Sequence, residues 1–232
     1  MLEGNHGIIP STVVIIAALN EEEGIGFTVS ELKATLDAAS FLVVDGRSTD
    51  RTVEVAKKMG AQIVFQDGLG KGDALAKGLK CLDSNVDYVV LTDADYTYPA
   101  EFVPEMIQIL ETNPSVGMVC GNRFTVDLNL GENHDMLYFG NRFISFTHNL
   151  LNGVQLVDPL TGLRVVRARI LREWLVKSKG FDIEVELNHQ VEREGFGIVE
   201  IPIAYRNRLG TKKLKVRHGI EILKRIILET MY

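Results

Sequence analysis

The 232-residue chain is poor in cysteine and has no long apolar run, and both absences restrict the classes of protein it can belong to. Its two cysteines, Cys81 and Cys120, cannot form a disulfide framework, so we expect a reducing cytosolic setting. The apolar run Val13–Leu19 is too short to cross a bilayer, and no basic region precedes it as in a signal peptide. We therefore predict a protein that is soluble or lies on the surface of a membrane.

An excess of positive charge is also missing. The 25 Lys and Arg residues against 31 Asp and Glu residues give a net charge of -6, which argues against general nucleic-acid binding. Metal-ligand spacing is absent from His134, His148, His189 and His218, so core or surface roles are predicted for them. Hydrophobic residues make up 46% of the chain, enough for a sizeable core, and we expect one domain over residues 1–232.

Strands and helices are predicted to alternate over the first half of the chain. Apolar runs predict strands at 12–19, 41–44, 61–65, 88–91 and 116–120. Helical spacing predicts helices at 20–39, 51–59, 74–81 and 99–110, the first with acidic residues in its first turn. This alternation predicts an α/β fold built on a doubly wound, mainly parallel sheet. Helices at 138–151, 170–176, 181–193 and 218–231 and strands at 160–166 and 197–203 are predicted to extend it.

Two carboxylates follow the fourth predicted strand. Asp93 and Asp95 stand one residue apart, and alternate residues of an extended chain point to the same side. Two anions held that close repel each other unless a cation lies between them, and a hard divalent ion with free positions for phosphate oxygens fits. A solvated turn or a helix cap is the alternative. Because open α/β sheets bind ligands at the carboxyl ends of their strands, we favour a binding site.

Two further features belong to the same rim of the predicted sheet. Asp45 ends the second strand, beside Asn20 and Glu21, where a carboxylate can accept hydrogen bonds from a nucleobase or ribose, or can instead cap a turn or helix. Lys71 lies between two glycines, which lets a positive charge and the backbone approach a diphosphate. The spacing of a P-loop is absent, and Gly-Lys-Gly alone is more often a flexible turn.

The chain also carries a series of short motifs. They are Ala-Ala-Leu-Asn-Glu-Glu at 17–22, Val-Val-Asp-Gly-Arg-Ser-Thr-Asp-Arg-Thr at 43–52, Gly-Lys-Gly-Asp-Ala at 70–74, Asp-Ala-Asp at 93–95, Gly-Asn-Arg-Phe at 121–124, Asp-Pro-Leu-Thr-Gly-Leu-Arg at 158–164 and Glu-Ile-Pro-Ile at 200–203. In order and spacing they resemble the family-2 inverting nucleotide-sugar glycosyltransferases, and the last three resemble the dolichyl-phosphate hexose synthase branch. The resemblance covers residues from about 12 to 215.

This resemblance implies a fold of the nucleotide-diphospho-sugar transferase (GT-A) type. Residues 12–121 would bind the nucleotide sugar and metal, 122–215 the acceptor, and 216–232 would form an amphipathic helix. The implied activity is a metal-dependent, inverting transfer of a hexose from a nucleotide sugar to dolichyl or polyprenyl phosphate, by a cytoplasmic enzyme at the inner face of the membrane. Gly46 replaces an acid that is frequent in the family, so we lean to a UDP-hexose over GDP-mannose.

The same resemblance implies roles for individual residues. Asp93 and Asp95 would coordinate Mg²⁺ or Mn²⁺, with Thr97 as a weaker third ligand, and would act in catalysis with Arg123 and Arg142. Nucleotide-sugar contacts are implied for Ala17, Leu19, Asn20, Glu21, Asp45, Lys71, Asp93, Arg206 and Arg208. Binding of the acceptor phosphate is implied for Arg123, Arg142, Ser145, Asp158, Thr161 and Arg164. Lys212 and Lys213 belong to the basic loop of Arg206 and Arg208, and Lys212 replaces a serine usual there.

Several alternatives stay open at this point. The acceptor could be a soluble phosphorylated or sugar compound, which would need a base such as Asp158. The chain could also be a non-enzymatic α/β module that binds a cation. Arg142 could simply lie on the polar face of its helix, and Asp158 could be a structural cap.

The predicted helices of the second half leave further choices. Glu184 and Glu186 could face the pocket, but on an amphipathic helix we expect them to be solvated. The stripe of Phe139, Phe143 and Phe146 predicts core packing or contact with an isoprenoid tail. The basic helix at 218–232 suits the surface of a membrane, or packing on the domain or on a partner subunit. A separate membrane subunit could hold the enzyme at the bilayer.

Overall fold

Residues 11–124, 144–151 and 155–231 are described by a computed structural model of the chain. His134, Phe139, Arg142 and Phe143 lie outside the described residues, as does the first part of the helix predicted at 138–151. Within the described ranges, no helix combines the length and the apolar composition needed to span a membrane.

Seven strands form one sheet at the centre of the structure. They are β1 (Thr12–Ala18), β2 (Ser40–Asp45), β3 (Gln62–Phe65), β4 (Tyr88–Asp93), β5 (Val116–Asn122), β6 (Arg164–Arg167) and β7 (Gly197–Pro202). Their order in the sheet is β3-β2-β1-β4-β6-β5-β7. Neighbouring strands are parallel except at β6, which runs antiparallel to both β4 and β5. The prediction of a doubly wound, mainly parallel sheet is confirmed.

Helices cover both faces of this sheet. They are α1 (Ile25–Thr35), α2 (Thr52–Lys58), α3 (Lys71–Leu79), α4 (Val103–Thr112), α5 (residues 144–151), α6 (Ala168–Leu171), α7 (Ile183–Arg193) and α8 (Val216–Glu229), with a 3-10 turn at Ala100–Phe102. The predicted start of the first helix is wrong. Asn20 adopts a positive φ of 51°, so the chain turns there and α1 begins at Ile25, without an acid in its first turn.

The sheet is buried on both faces because its strands are apolar at consecutive positions. Val14 and Ile16 of β1 pack in one apolar layer with α1 and α4, while Ile15 packs in the opposite layer with α3 and α7. A third, smaller cluster joins α5, α7 and α8 through Ile144, Val185, Ile222 and Ile226. The core therefore fixes α8 beside α5 and α7. Strands from residues 12–121 and from residues 122–215 share the one sheet, and the domain boundaries stay a prediction.

Arg164 at the start of β6 is a structural residue in this fold. Its side chain is only 1% exposed, and its guanidinium donates to the carbonyl oxygens of Thr161 at 2.9 Å and Pro159 at 2.7 Å and to Asn188 Oδ1 at 2.5 Å. These bonds satisfy a buried cation and fix the loop 158–163. The expectation that Arg164 binds an acceptor phosphate does not agree with this placement, because its donors point into the protein.

Two buried histidines connect α5 to α7. The rings of His148 and His189 lie 5.7 Å apart, and His148 is fully buried. Burial, and then the neighbouring His189, lower the pKa of His148 to about 4. Because this pKa lies below that of a histidine in the unfolded chain, the unfolded state binds the proton more tightly. The stability from a neutral His148 is therefore complete above pH 6.5 and is lost as the pH falls towards 4.

We expect His148→Gln to remove this acid sensitivity. Between pH 6.5 and pH 4 the wild-type free energy of unfolding should fall relative to that of the variant by roughly 1 kcal/mol for each pH unit. Urea unfolding of both proteins across this range measures the difference, and the shared contributions of His189 and Glu192 largely cancel. A difference that stays constant with pH would contradict a neutral, buried His148.

Candidate functional site

A cleft of about 820 Å³ opens at the carboxyl ends of β1 and β4, where the strand order of the sheet reverses. This is the switch point at which open α/β sheets bind ligands. Eight predicted site residues line the cleft, namely Ala17, Leu19, Glu21, Lys71, Asp93, Asp95, Arg123 and Arg208. The structure therefore brings Asp93, at the end of β4, and Asp95 into one pocket with Lys71 of the glycine-rich turn.

Lys71 forms the inner wall of this cleft as the first residue of α3. Its Nζ lies 2.6 Å from Asp93 Oδ1 and 2.7 Å from Glu184 Oε1. Burial by itself would lower the pKa of Lys71, but the two carboxylates outweigh it and raise the pKa above its ordinary value. Glu184 is 7% exposed and Glu186 is 1% exposed, so the expectation that both are solvated is wrong. Lys71 is a fixed cation that neutralises two acids.

Asp95 is held on the other side of the cleft by a second set of cations. Its Oδ2 lies 2.9 Å from Arg208 Nη2, and its Oδ1 accepts a hydrogen bond of 2.6 Å from the Thr97 hydroxyl. Arg208 also pairs with Glu21 at 3.0 Å, and Lys213 lies 2.6 Å from the same Glu21 oxygen. Burial, and then the nearby charge of Asp93, raise the pKa of Asp95. The two aspartates are thus close enough to repel each other.

The turn that carries these acids is fixed by hydrogen bonds from both sides. Tyr96 adopts a positive φ of 65°, and the Thr28 hydroxyl of α1 accepts from its N–H and donates to the Ala94 carbonyl. On the opposite side, the N–H of Leu209 donates to the Asp95 carbonyl at 3.0 Å and that of Arg206 to the Thr97 carbonyl at 3.0 Å. The segment 206–209 therefore lies across the acidic turn and delivers Arg208 to it.

The donor atoms at this turn suit a hard divalent cation. Asp93 and Asp95 present carboxylate oxygens to one cleft, and Mg²⁺ is bound by one or two carboxylates together with substrate phosphates. Glu21 Oε2 is buried beside them without a hydrogen-bond partner in the described structure. No group of three His, Cys, Asp or Glu residues with metal-binding geometry occurs in the ranges that the structure describes. The site therefore fits an ion that completes its coordination with a bound ligand.

Gly162 in the loop before β6 allows this loop to approach Asp93. A Cβ atom at Gly162 would lie 2.5 Å from Asp93 Oδ2 and 3.0 Å from the Tyr98 ring, and Gly162 N–H donates to the Tyr98 hydroxyl at 2.7 Å.

We expect Gly162→Ala to displace the Asp93 carboxylate and to lower turnover by roughly tenfold to a hundredfold. Steady-state rates measure this. Gly197→Ala, whose Cβ would lie 3.6 Å from its nearest neighbour, is the matched control, and equal rates for both variants would contradict the contact.

Arg123 forms the opposite wall of the cleft. Its guanidinium makes a forked ion pair with Asp158, at 2.6 Å and 2.7 Å, and lies over the Tyr205 ring at 5.4 Å. Glu200 orients Asp158 by accepting from the backbone N–H groups of Val157 and Asp158, each at 2.7 Å. Of the residues predicted for the acceptor phosphate and described here, Ser145, Asp158, Thr161 and Arg164 do not line the cleft, while Arg123 does.

Three residues predicted to contact the nucleotide sugar lie elsewhere. Asp45 is fully buried and accepts hydrogen bonds from the Ser48 N–H at 2.8 Å and the Ser48 hydroxyl at 2.6 Å. It therefore caps a turn, which was the alternative to a nucleotide contact. Asn20 accepts from the Thr49 N–H at 2.8 Å. Arg206 forms a forked pair with Glu31 and stacks over Tyr96, outside the cleft. Arg206 thus anchors the segment 206–209 to α1, whereas the loop residues Arg208, Lys212 and Lys213 line the cleft.

Sequence reasoning missed other residues of the cleft. Tyr98, Tyr205 and Gln66 line the pocket without having been predicted, and Glu184 lines it although a solvated side chain was favoured. The cleft also has apolar and basic lining residues, namely Phe124, Leu160, Phe181, Leu214, Ile222, Lys212, Lys215, Arg217 and His218. Its acids are gathered around Asp93 and Asp95, since Glu184 shares Lys71 with Asp93 and Glu21 shares Arg208 with Asp95.

Known proteins are similar to this chain in sequence and in fold. Residues 13–175 match the model of the family described as glycosyl transferase family 2. The chain is 33% identical over 204 residues to the dolichyl-phosphate hexose transferase of Haloferax volcanii, which covers 87% of this chain and 85% of that protein. It is 28% identical over 217 residues to the undecaprenyl-phosphate mannosyltransferase of Micrococcus luteus, with 87% and 86% covered.

Solved structures show the same architecture. Glucosyl-3-phosphoglycerate synthase from Mycobacterium tuberculosis, in complex with phosphoglyceric acid, superposes with a TM-score of 0.79 at 19% identity, covering 96% of this chain and 80% of that one. The same synthase with Mn²⁺, uridine diphosphate and phosphoglyceric acid gives a TM-score of 0.76 at 21% identity. At these identities the likeness establishes the fold alone, and it confirms the predicted GT-A type.

Proposed function

This chain belongs to glycosyl transferase family 2, and from that membership we propose that it transfers a hexose from a nucleotide sugar to a polyprenyl phosphate, with inversion and with a divalent metal ion. The relatives named for dolichyl-phosphate and undecaprenyl-phosphate substrates support the acceptor class. The observation that carries the proposal is that one cleft is lined by Asp93, Asp95 and Arg123 together.

The acidic end of the cleft is the proposed donor site. Mg²⁺ or Mn²⁺ held by Asp93 and Asp95 would neutralise charge on the departing nucleoside diphosphate. Lys71, Arg208 and Lys213 place three positive charges around the same point, so phosphate oxygens would find donors on both sides of the acidic turn. Because these cations are already fixed by carboxylates, they need little reorganisation when the donor binds.

The wall formed by Arg123 is the proposed acceptor site. A phosphate monoester is largely ionised near neutral pH, since its second pKa is about 6, so it needs cations to hold it and no base to activate it. Asp158 holds the fork of Arg123, whose remaining N–H groups would bind a phosphate, and the apolar side chains of Phe124, Leu160 and Phe181 also line the cleft. Asp158 is 1% exposed and committed to Arg123, which argues against its use as a base for a hydroxyl acceptor.

A UDP-hexose is the proposed donor in preference to GDP-mannose. Gly46 lines the cleft with Leu19 and Gln66, and by the family resemblance it replaces a second acid. Guanine presents an amino group in addition to its ring N–H, and a carboxylate is the natural acceptor for that pair. Uracil has one N–H donor and no such need. We also propose that the enzyme works at the inner face of the membrane, and the free thiols of Cys81 and Cys120 agree with a reducing compartment.

Transfer of radiolabel tests the proposal directly. The chain is incubated with polyprenyl phosphate and labelled UDP-glucose or GDP-mannose, with Mg²⁺, with Mn²⁺ or with a chelator, and label in the organic phase is counted. We expect metal-dependent transfer, fastest from the UDP sugar. Organic-soluble label from neither donor would exclude the lipid acceptor, and calorimetry with UDP, GDP and Mn²⁺ would then show whether a nucleotide binds at all.

Arg123 offers a test of the acceptor site by itself. We expect Arg123→Lys, which keeps the charge and removes the fork, to raise the acceptor KM by roughly tenfold while the donor KM stays unchanged. Arg206→Lys is the matched control because Arg206 makes the same kind of forked pair outside the cleft. An unchanged acceptor KM in Arg123→Lys, or an equal rise in both variants, would argue against the assignment.

A further inference from the structure

The outer face of α8 is apolar and exposed. Ile220, Ile227, Leu228 and Met231 are 59%, 52%, 48% and 73% exposed. Residues of a helix advance by about 100° each, so these four side chains lie within an arc of roughly 100°. A face of this kind on a helix that already packs against a core indicates a second surface to be covered.

The charges of the same arc are all positive. Arg217 and Lys224 fall between the apolar side chains, and neither has an acidic partner among the residues that the structure describes. The acids of the helix lie outside the arc, and Glu221 is exposed about 20° beyond its edge, so the surface keeps an excess of positive charge. Glu229 is buried and pairs with Arg193 at 2.6 Å and Arg225 at 3.4 Å. The outward surface is therefore complementary to an apolar partner that carries negative charge.

The inner face of α8 is firmly attached, so the outer face is presented in a fixed orientation. Ile222 and Ile226 are buried against α5 and α7, and Arg225 pairs with Asp182 at 3.0 Å. Arg217, His218 and Ile222 of α8 line the cleft. Because Arg217 also lies in the exposed arc, the exposed face adjoins the cleft at this residue.

From this arrangement we infer that the outer face of α8 docks on an anionic lipid bilayer. The arc of four apolar side chains interspersed with cations is the pattern of a helix that lies in the membrane interface, with apolar side chains among the acyl chains and cations at the headgroups. The inference deepens the proposed function and rests on it in one respect, because docking there would bring the mouth of the cleft to a lipid-borne phosphate.

Vesicle binding tests the surface without reference to catalysis. The full chain is sedimented with vesicles of phosphatidylcholine containing about 30% phosphatidylglycerol, and with vesicles of phosphatidylcholine alone. We expect binding to the anionic vesicles that weakens at high salt, and clearly weaker binding to the neutral ones. Wild-type protein that stays in the supernatant of the anionic vesicles, or that binds both kinds equally, would overturn the inference.

Variants locate the surface. Ile227→Ser with Met231→Ser should weaken binding by at least about tenfold, and Lys224→Gln by about fivefold on anionic vesicles alone. Leu175→Ser is the matched control, since Leu175 is 83% exposed but lies outside α8. Wild-type binding by the double variant would overturn the inference. So would a wild-type dimer that becomes monomeric in the double variant, because the face would then be a contact between two chains.

Activity separates this inference from the proposed function. With a water-soluble, short-chain prenyl phosphate, the double variant should transfer as fast as wild type, because Ile227 and Met231 do not line the cleft. With a long acceptor in vesicles it should be slower in proportion to its lost binding. If wild type uses no prenyl phosphate, the proposed acceptor fails, while vesicle binding alone still decides the role of α8.

Discussion

Asp95→Asn is expected to reduce turnover by about a thousandfold or more at saturating donor. The substitution keeps the shape of the side chain and removes the charge that faces Arg208 and the proposed metal ion. Loss of such an ion from a departing diphosphate corresponds to several kcal/mol of transition-state stabilisation, and each 1.4 kcal/mol is about tenfold in rate. Radiolabel transfer under saturating UDP sugar and Mn²⁺ measures the effect.

Two controls make this result specific. Asp67→Asn removes an aspartate that pairs with Lys77 at 3.0 Å on the surface, outside the cleft, and it should leave the rate unchanged. Thermal unfolding of Asp95→Asn should stay close to wild type, since burial already raises the pKa of this carboxyl. Wild-type turnover in a folded Asp95→Asn protein would remove the acidic turn from the mechanism.

Lys71→Met is expected to damage both stability and activity. The variant leaves Asp93 and Glu184 without the cation that joins them, and removal of one partner from a buried ion pair costs roughly 3–5 kcal/mol. Turnover should fall by about a hundredfold, because a fixed positive charge beside the proposed site of the donor phosphates is lost. Urea unfolding and transfer rates give the two quantities separately.

The double variant Lys71→Met with Glu184→Gln distinguishes these effects. It removes one of the two stranded acids, so it should recover about 1–3 kcal/mol of stability relative to Lys71→Met. Activity should not recover, because the cation is still absent. Lys77→Met on the same helix, whose exposed pair with Asp67 contributes little, is the matched control. Recovery of activity together with stability would mean that Lys71 acts only on the fold.

The sheet and the acidic pair could be predicted because their signals are local. β1 and β4 are apolar at consecutive positions, as strands buried on both faces are, and Asp93 ends β4 as its sequence indicates. The position of Asp95 in the same cleft then follows from the end of a parallel strand. The start of α1 could not be predicted, because the acids after Asn20 suit a helical first turn equally well.

The burial of charged side chains could not be predicted from local sequence patterns. α7 buries every residue from Ile183 to Val191, so Glu184 and Glu186 are enclosed although their spacing resembles that of a polar face. Glu184 is enclosed because Lys71 approaches it from a distant part of the chain. The burial of Arg164 has the same cause, since its partner Asn188 lies on α7, in a distant part of the chain. In the opposite direction, Phe146 is 64% exposed, which does not agree with core packing and leaves the alternative of contact with an isoprenoid tail.

The position of β6 between β4 and β5 has a consequence for how the sheet forms during synthesis. β4 and β5 are not neighbours in the sheet, because β6 lies between them. The edges of β4 and β5 that face β6 stay unpaired until β6 is in place. Until residue 167 has been synthesised, the growing chain therefore exposes two unpaired strand edges at the middle of the future sheet. The central sheet therefore cannot be completed before this late segment is synthesised, and until then the unpaired edges can pair with other chains.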